Sequence, residues 1–197
     1  MKPLSLNTPH LIVMVGIPGA GKTFFAEHFS ETFKAPYVNF ERLRSELFNE
    51  PTYNAKEKAI ISRVSNYLLD ELFKTGQTIV LEVPSSTKAE RQAITRRAKD
   101  NGYEPLIVWV QTESSSAKAR STKAVKGKHM MSSEVFDSAI KTFSAPGASE
   151  SPIVISGKHT YASQLKIVLS RLIPPKPVVQ TSPPLPTGAE RRRLTIR

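Results

Sequence analysis

The chain reads as an α/β protein, a three-layer α/β/α domain on a mostly parallel five-stranded sheet. Five short apolar runs are near-continuous instead of alternating, the pattern of strands covered on both faces. Helical apolar spacings lie between them, so strands and helices alternate along the chain. The first run leads straight into a glycine-rich turn that opens a helix.

The elements follow in order. His10 to Val15 is the first strand, and Phe25, Phe29 and Phe33 then recur every four residues, giving the next helix one apolar face. Tyr37 to Phe40 is the second strand. Ile61, Val64, Leu68 and Leu72 mark the longest helix, with Gly76 as its C-terminal cap. Thr78 to Val83 forms the third strand. Thr87 to Asn101 is a polar helix with a thin stripe of Ala89, Ala93 and Ile94, stopped at Gly102. Pro105 to Gln111 is the fourth strand, with Trp109 as a core residue inside it. Val135, Phe136, Ile140 and Phe143 mark a helix, Pro152 to Ile155 the fifth strand, and Tyr161, Leu165, Val168, Leu169 and Leu172 a last helix. After Pro174 prolines cluster and apolar periodicity stops. The domain is therefore placed at residues 1–174, followed by a disordered, Pro-rich, basic tail at 175–197.

Gly16, Ile17, Pro18, Gly19, Ala20, Gly21, Lys22 and Thr23 fit the phosphate-binding loop G-x-x-x-x-G-K-[ST], the P-loop or Walker A motif. Between a strand and a helix, such a loop turns backbone N–H groups and a helix N-terminus onto phosphate oxygens. Lys22 is expected to neutralise the β- and γ-phosphates and Thr23 to offer its hydroxyl to Mg²⁺. Phe24 is counted with the nucleotide-binding residues. The ligand expected is ATP (or GTP) with Mg²⁺, against the bland alternative of a glycine turn beside a solvated lysine.

Ligands of open α/β sheets sit beyond the carboxyl ends of the strands. Those ends carry Glu41 after the second strand, Glu82 on the third, Gln111 and Thr112 on the fourth, and Ser156, Gly157 and Lys158 on the fifth. Glu41 and Arg44 are three apart, on one face of a helix. A carboxylate beside an arginine suits phosphoryl transfer to a hydroxyl, the acid taking the proton while the guanidinium holds the acceptor or a transferring oxygen. An i,i+3 surface salt bridge is the alternative. For Glu82 the two readings are a carboxylate that orients the water bound to Mg²⁺ and a strand-end acid facing solvent.

The blocks "LIVMVGIPGAGKTFFAEHF", "VNFERLRSELF" and "GQTIVLEVPSSTKAERQAITRRAKDNGYEPLIVWVQT" resemble the AAA-type P-loop kinases related to polynucleotide kinase and zeta toxin, across most of residues 10–145. The resemblance implies a phosphotransferase acting on a hydroxyl of a nucleic-acid end, a nucleotide sugar or another small molecule. It also implies an aspartate base after the second strand and an arginine three residues later, which land on Glu41 and Arg44. Two departures stand out. Glu41 replaces that aspartate, and "LEVPSS" replaces an aspartate followed by a polar pair, so each acid is one methylene longer. The resemblance places lid arginines after the fourth strand, the first matching Arg120; the second falls near Ala124, with Lys123 and Lys126 as stand-ins. Lysine lacks the planar fork that grips two phosphate oxygens. Ser156, Gly157 and Lys158 are placed beside the nucleotide base.

The region around 113–133 is expected to be that lid. No acid lies between Glu113 and Glu134, whereas Lys118, Arg120, Lys123, Lys126 and Lys128 are basic, and Ser114 to Lys128 lacks the apolar stripe of a packed helix. A solvated basic loop is the alternative.

Charge and composition bound the rest. The net charge is +11, of which the segment from Pro175 carries +4, with Lys176, Arg191, Arg192, Arg193 and Arg197 against Glu190. Anionic partners are favoured, including an anionic hydroxyl acceptor and nucleic acid contacted through lid and tail. The chain has no cysteine, which excludes disulfides and thiol chemistry and fits a reducing cytoplasm. Leu11 to Val15 is too short for a signal-peptide core or to span a bilayer, so a soluble, unprocessed cytoplasmic chain is expected; a monomer is expected as well. His10, His28, His129 and His159 are scattered, without metal-ligand spacing. Two other readings accompany the kinase: a nucleotide hydrolase, and a catalytically weak nucleotide-binding module that docks on nucleic acid through its tail.

Overall fold

In the computed structural model, which describes residues 8–84, 86–123 and 131–172, five strands form one sheet. They are β1 (His10–Val15), β2 (Tyr37–Asn39), β3 (Ile79–Glu82), β4 (Glu104–Gln111) and β5 (Ile153–Ser156). Their order is β2-β3-β1-β4-β5, and every neighbouring pair is parallel. The helices are α1 (Lys22–Phe33), α2 (Phe40–Leu47), α3 (Ala55–Phe73), α4 (Lys88–Asp100), α5 (Ser114–Ser121), α6 (Ser133–Thr142) and α7 (Tyr161–Leu172).

Two cores result, one on each face, and the pleat of β1 divides its residues between them. Ile12 and Met14 pack with Phe25 and Phe29 of α1 and Val168 and Leu172 of α7. Leu11, Val13 and Val15 pack with Leu69 and Phe73 of α3 and Ala98 of α4. All six β1 residues are buried, as a central parallel strand requires.

Two expected stripes rotate on the real helices. The buried line of α3 is Glu57, Ile61, Ser65, Leu69 and Phe73, and Val64, Leu68 and Leu72 flank it half-buried. That helix also ends at Phe73, with Gly76 two residues past its cap in the left-handed conformation. On α4, Ala89 and Ala93 face solvent, and the helix is anchored by Arg91 and Ala98. Trp109 is half-buried, lining a cavity of about 840 Å³ beside β5, and not sealed in the core.

Arg91 explains how so polar a helix packs. Its side chain is 1% exposed, and its guanidinium donates Nε to Glu150 Oε1 at 2.7 Å and Nη2 to Oε2 at 3.0 Å. Nη1 donates to the Ser144 carbonyl at 2.8 Å. Breaking a buried pair from one side leaves an uncompensated charge, so Arg91→Met is expected to destabilise by about 3–5 kcal/mol in chemical denaturation. Arg91 holds the Glu150 carboxyl below the usual carboxylate range. The stabilisation is thus complete above the ordinary carboxylate pKa and lost as pH falls through the depressed one. The melting temperature is expected to drop as pH falls below about 5, and Glu150→Gln to flatten that part of the profile.

The basic residues Lys126 and Lys128, Ala124, His129 and the tail at 175–197 lie outside the described residues. No described helix is long and apolar enough to cross a membrane.

Candidate active site

In the order β2-β3-β1-β4-β5, the chain leaves β1 toward β2 and leaves β3 toward β4. Right-handed crossovers in opposite directions put α1 and α4 on opposite faces. The sheet therefore opens a crevice between the carboxyl ends of β1 and β3. The glycine loop stands at one lip and Glu82 at the other.

The loop is seated by backbone contacts. Gly19 has φ +73°, and a Cβ there would collide with the Ala117 carbonyl of α5. Gly157 lies so close to the Ala20 carbonyl that a side chain would strike it, and Thr112 Oγ1 donates to that same carbonyl at 2.9 Å. Lys22 Nζ donates to the carbonyls of Gly16 at 3.0 Å and Ile17 at 3.2 Å. Burial pushes the Lys22 ammonium below its ordinary pKa, and the charges of Glu82 and then Glu41 oppose that shift. Both acids thus act on one ammonium. Phe24 is exposed at the start of α1, its ring 4.4 Å from that of His28.

Glu82 does not end its strand in solvent. Its Oε1 accepts the Thr23 hydroxyl at 3.0 Å, and its Oε2 accepts Tyr37 Oη at 2.6 Å and Asn39 Nδ2 at 2.9 Å. Burial first, and the Glu82 charge second, raise the Tyr37 phenol far above its usual pKa, so it stays a donor. Asn39 is doubly engaged, since its Oδ1 caps α2 by accepting Arg42 N at 2.8 Å. The cap thereby ties the start of α2 to the carboxylate. Thr23 and Glu82 present hard oxygen donors beside the phosphate loop, which fits Mg²⁺, an ion held by few protein ligands plus phosphate oxygens.

Glu41 lies in the first turn of α2 with its side chain 65% exposed, 3.4 Å from Arg44 Nε. Arg44 departs from expectation. Its side chain is 7% exposed, paired with Glu57 at 3.2 Å and covered by the Tyr53 ring 4.3 Å away. Glu57, held below the usual carboxylate range chiefly by the Thr52 hydroxyl, also accepts Tyr53 N. The expected acceptor-holding guanidinium is committed to Glu57, and its Nε lies 3.4 Å from Glu41 without a hydrogen bond.

Nor is the first half of the expected lid without packing. Ser114–Ser121 is helical, Ala117 is buried against the glycine loop, and Lys118 pairs with Asp137 of α6 at 2.8 Å. A single small residue suffices because the backbone, not a broad stripe, makes the contact. Arg120 Nη1 donates to the Gly157 carbonyl at 3.1 Å, and Lys158 pairs with Glu113 at 2.9 Å. These two bonds join α5 to the Ser156–Lys158 loop beside the P-loop. Lys123 is exposed.

Tyr37, Asn39, Tyr53 and Glu57 were not singled out from sequence. Asn39 alone left a signal, a capping residue three before Arg42.

A curated relative, the human "6-phosphofructo-2-kinase/fructose-2,6-bisphosphatase 3", is 25% identical over 181 residues, covering 77% of this chain. This chain spans about a third of that relative's length, 33%. Among solved structures, a sugar kinase from Janibacter sp. superposes with TM-score 0.61 at 16% identity, covering 83% of this chain and 93% of the other. The Mycobacterium tuberculosis APS kinase CysC, in complex with AMPPNP and APS, does so with TM-score 0.61 at 15% identity, covering 84% and 98%. The fold is that of P-loop kinases. A family model described as an AAA domain matches residues 11–146, more than half of the sequence, so this chain belongs to that AAA domain family.

Proposed function

We propose that this chain is a kinase that transfers the γ-phosphoryl group of ATP or GTP to a hydroxyl, with a reducing cytoplasm as its compartment. The observation that carries this reading is Glu41: an exposed carboxylate beside a buried guanidinium, near enough to Lys22 for its charge to act on that ammonium. In the step, the acceptor oxygen bonds to the γ-phosphorus and the bond from that phosphorus to the β–γ bridging oxygen breaks. Nucleoside diphosphate leaves, and the acceptor proton passes to Glu41. Lys22 and the loop N–H groups hold the phosphates, while Arg44 sets positive charge beside Glu41. Thr23 and Glu82 would hold Mg²⁺, which when bound would neutralise phosphate charge. Arg120, at the edge of the loop, supplies positive charge to the nucleotide side once it exchanges the Gly157 carbonyl for phosphate.

A catalytically weak nucleotide-binding module is the second reading, favoured by the engagement of both arginines with protein groups. One assay separates the readings. The protein is incubated with γ-labelled ATP, Mg²⁺ and an acceptor panel of a 5′-hydroxyl oligonucleotide, a nucleoside and a polyol, with Lys22→Ala as blank. Labelled acceptor that vanishes in the blank supports the kinase. Released phosphate without labelled acceptor means hydrolysis, and neither product, with nucleotide still bound, means the module.

A further inference from the structure

We propose that Tyr37 and Asn39 are positioning residues for Glu82: they grip one of its carboxylate oxygens from β2, so that the other stays with Thr23 beside the phosphate loop. The inference rests on the nucleotide and Mg²⁺ part of the kinase reading and concerns how this chain steadies its longer acid.

The grip is built by strand pairing. Parallel pairing sets Asn39 against Glu82, and Tyr37, two residues back on β2, shares a face with Asn39. That face is the one α1 covers, since Tyr37 packs on the core that holds Phe25 and Phe29. Thr23, in the first turn of α1, therefore meets the same carboxylate.

The hydrogens leave one arrangement. Asn39 Oδ1 accepts Arg42 N at 2.8 Å, which turns the amide so that Nδ2 faces Tyr37 and Glu82. Nδ2 donates one hydrogen to Tyr37 Oη at 2.6 Å and the other to Glu82 Oε2 at 2.9 Å, and the phenol donates its own hydrogen to the same Oε2 at 2.6 Å. Three groups close a triangle with every hydrogen used. Oε2 takes two donors, whereas Oε1 takes only the Thr23 hydroxyl among the described residues, at 3.0 Å. The carboxylate thus has a held oxygen and an open one, and the open one lies at the phosphate loop.

A glutamate here needs such a grip. It has one more rotatable bond than an aspartate, and the Lys22 ammonium is near enough to feel its charge. A free Glu82 would turn toward that ammonium and compete with the phosphates for it. The grip also needs a glutamate. An aspartate would withdraw the carboxylate by about one C–C bond, about 1.5 Å, more than bonds of 2.6 and 3.0 Å can stretch. It would keep Thr23 or the β2 pair and lose the other.

The test reads nucleotide affinity, not turnover. A fluorescent analogue of AMPPNP is titrated in excess EDTA and again in Mg²⁺, and the ratio of the two Kd values gives the enhancement due to the metal. Tyr37→Phe keeps the ring in its packing, and Asn39→Ser keeps a capping oxygen for α2 but has no amide to donate. Each is expected to lower the enhancement about 3–10-fold while the affinity in EDTA changes less. Glu82→Asp is expected to lower it by a similar factor, and adding Tyr37→Phe to Glu82→Asp to cost little more, because the shortened acid no longer holds both sides. An enhancement in Tyr37→Phe equal to that of wild type overturns the proposal. So does one in Glu82→Asp that matches or exceeds wild type, or full additivity in the double variant. A merely structural role would lower the melting temperature and both affinities together, and that result also overturns it. Should Asn39→Ser fail to fold, Tyr37→Phe decides. No enhancement in wild type removes Mg²⁺ from Thr23 and Glu82, and the proposal with it. The kinase reading is decided separately, by labelled acceptor. Transfer with an unaltered enhancement in Tyr37→Phe keeps the kinase and sinks the grip; the expected pattern without transfer does the reverse.

Discussion

Lys22→Ala is expected to lower kcat/KM for the nucleotide by about 10²–10³-fold, since one preorganised cation on developing phosphate charge is removed. The fold should survive, because among the described residues the bonds of Lys22 Nζ go to the loop carbonyls of Gly16 and Ile17. Circular dichroism checks this, and titration with a fluorescent nucleotide measures the lost affinity. The same residue sets a pH dependence. Burial holds the Lys22 pKa below that of an ordinary lysine, so the free enzyme loses this proton at a lower pH than an unfolded chain does. Its kcat/KM profile is expected to bend down on the alkaline side before an ordinary lysine would titrate, and Lys22→Arg to move that limb upward. Stability has the opposite sign. Between the depressed and the ordinary pKa the unfolded chain binds more protons, so this residue's contribution rises with pH.

Glu41→Gln is expected to reduce kcat by about 10²–10⁴-fold while leaving nucleotide affinity nearly unchanged, the signature of a proton acceptor that does not hold the nucleotide. Glutamine keeps the length of the side chain and its contact with Arg44 but takes no proton. With the side chain 65% exposed, the melting temperature should hardly move. Arg44→Lys separates position from chemistry. Lysine cannot pair with Glu41 and Glu57 while lying flat under Tyr53, so both stability and kcat should fall. An unchanged kcat in Glu41→Gln would remove the base from the proposal and shift weight to a nucleotide-binding module.

The strands were legible because a parallel strand buried on both faces has to be apolar throughout, and His10 to Val15 states this without ambiguity. Helix faces were less legible. In α3 the periodicity of Val64, Leu68 and Leu72 is real, but Glu57 and Ser65 lie on the buried line, and no hydrophobicity pattern places an acid or a serine there. Arg91 is the sharper case. An arginine on a polar helix reads as solvated until Glu150, far along the chain, is brought beneath it.

The site divides in the same way. The turn from Gly16 to Thr23 could be read from the sequence, because the motif proposed as a phosphate cradle is local: consecutive N–H groups, one turn, one lysine, one hydroxyl. The positions of Glu41 and Glu82 at strand ends followed from the order of elements. What each carboxylate touches did not follow. Thr23 meets Glu82 only because β1 and β3 are neighbours, Tyr37 meets it only because β2 pairs with β3, and the lack of room for a side chain at Gly19, beyond its φ of +73°, comes from Ala117 packing on the loop. The i,i+3 spacing of Glu41 and Arg44 was correct and still misjudged the arginine. One helical turn brings two side chains together, but the return of the chain through Tyr53 and Glu57 decides which of them is buried. Local chemistry is written in local sequence; burial and pairing across the sheet come from contacts between distant segments, and those exist only after the chain has folded.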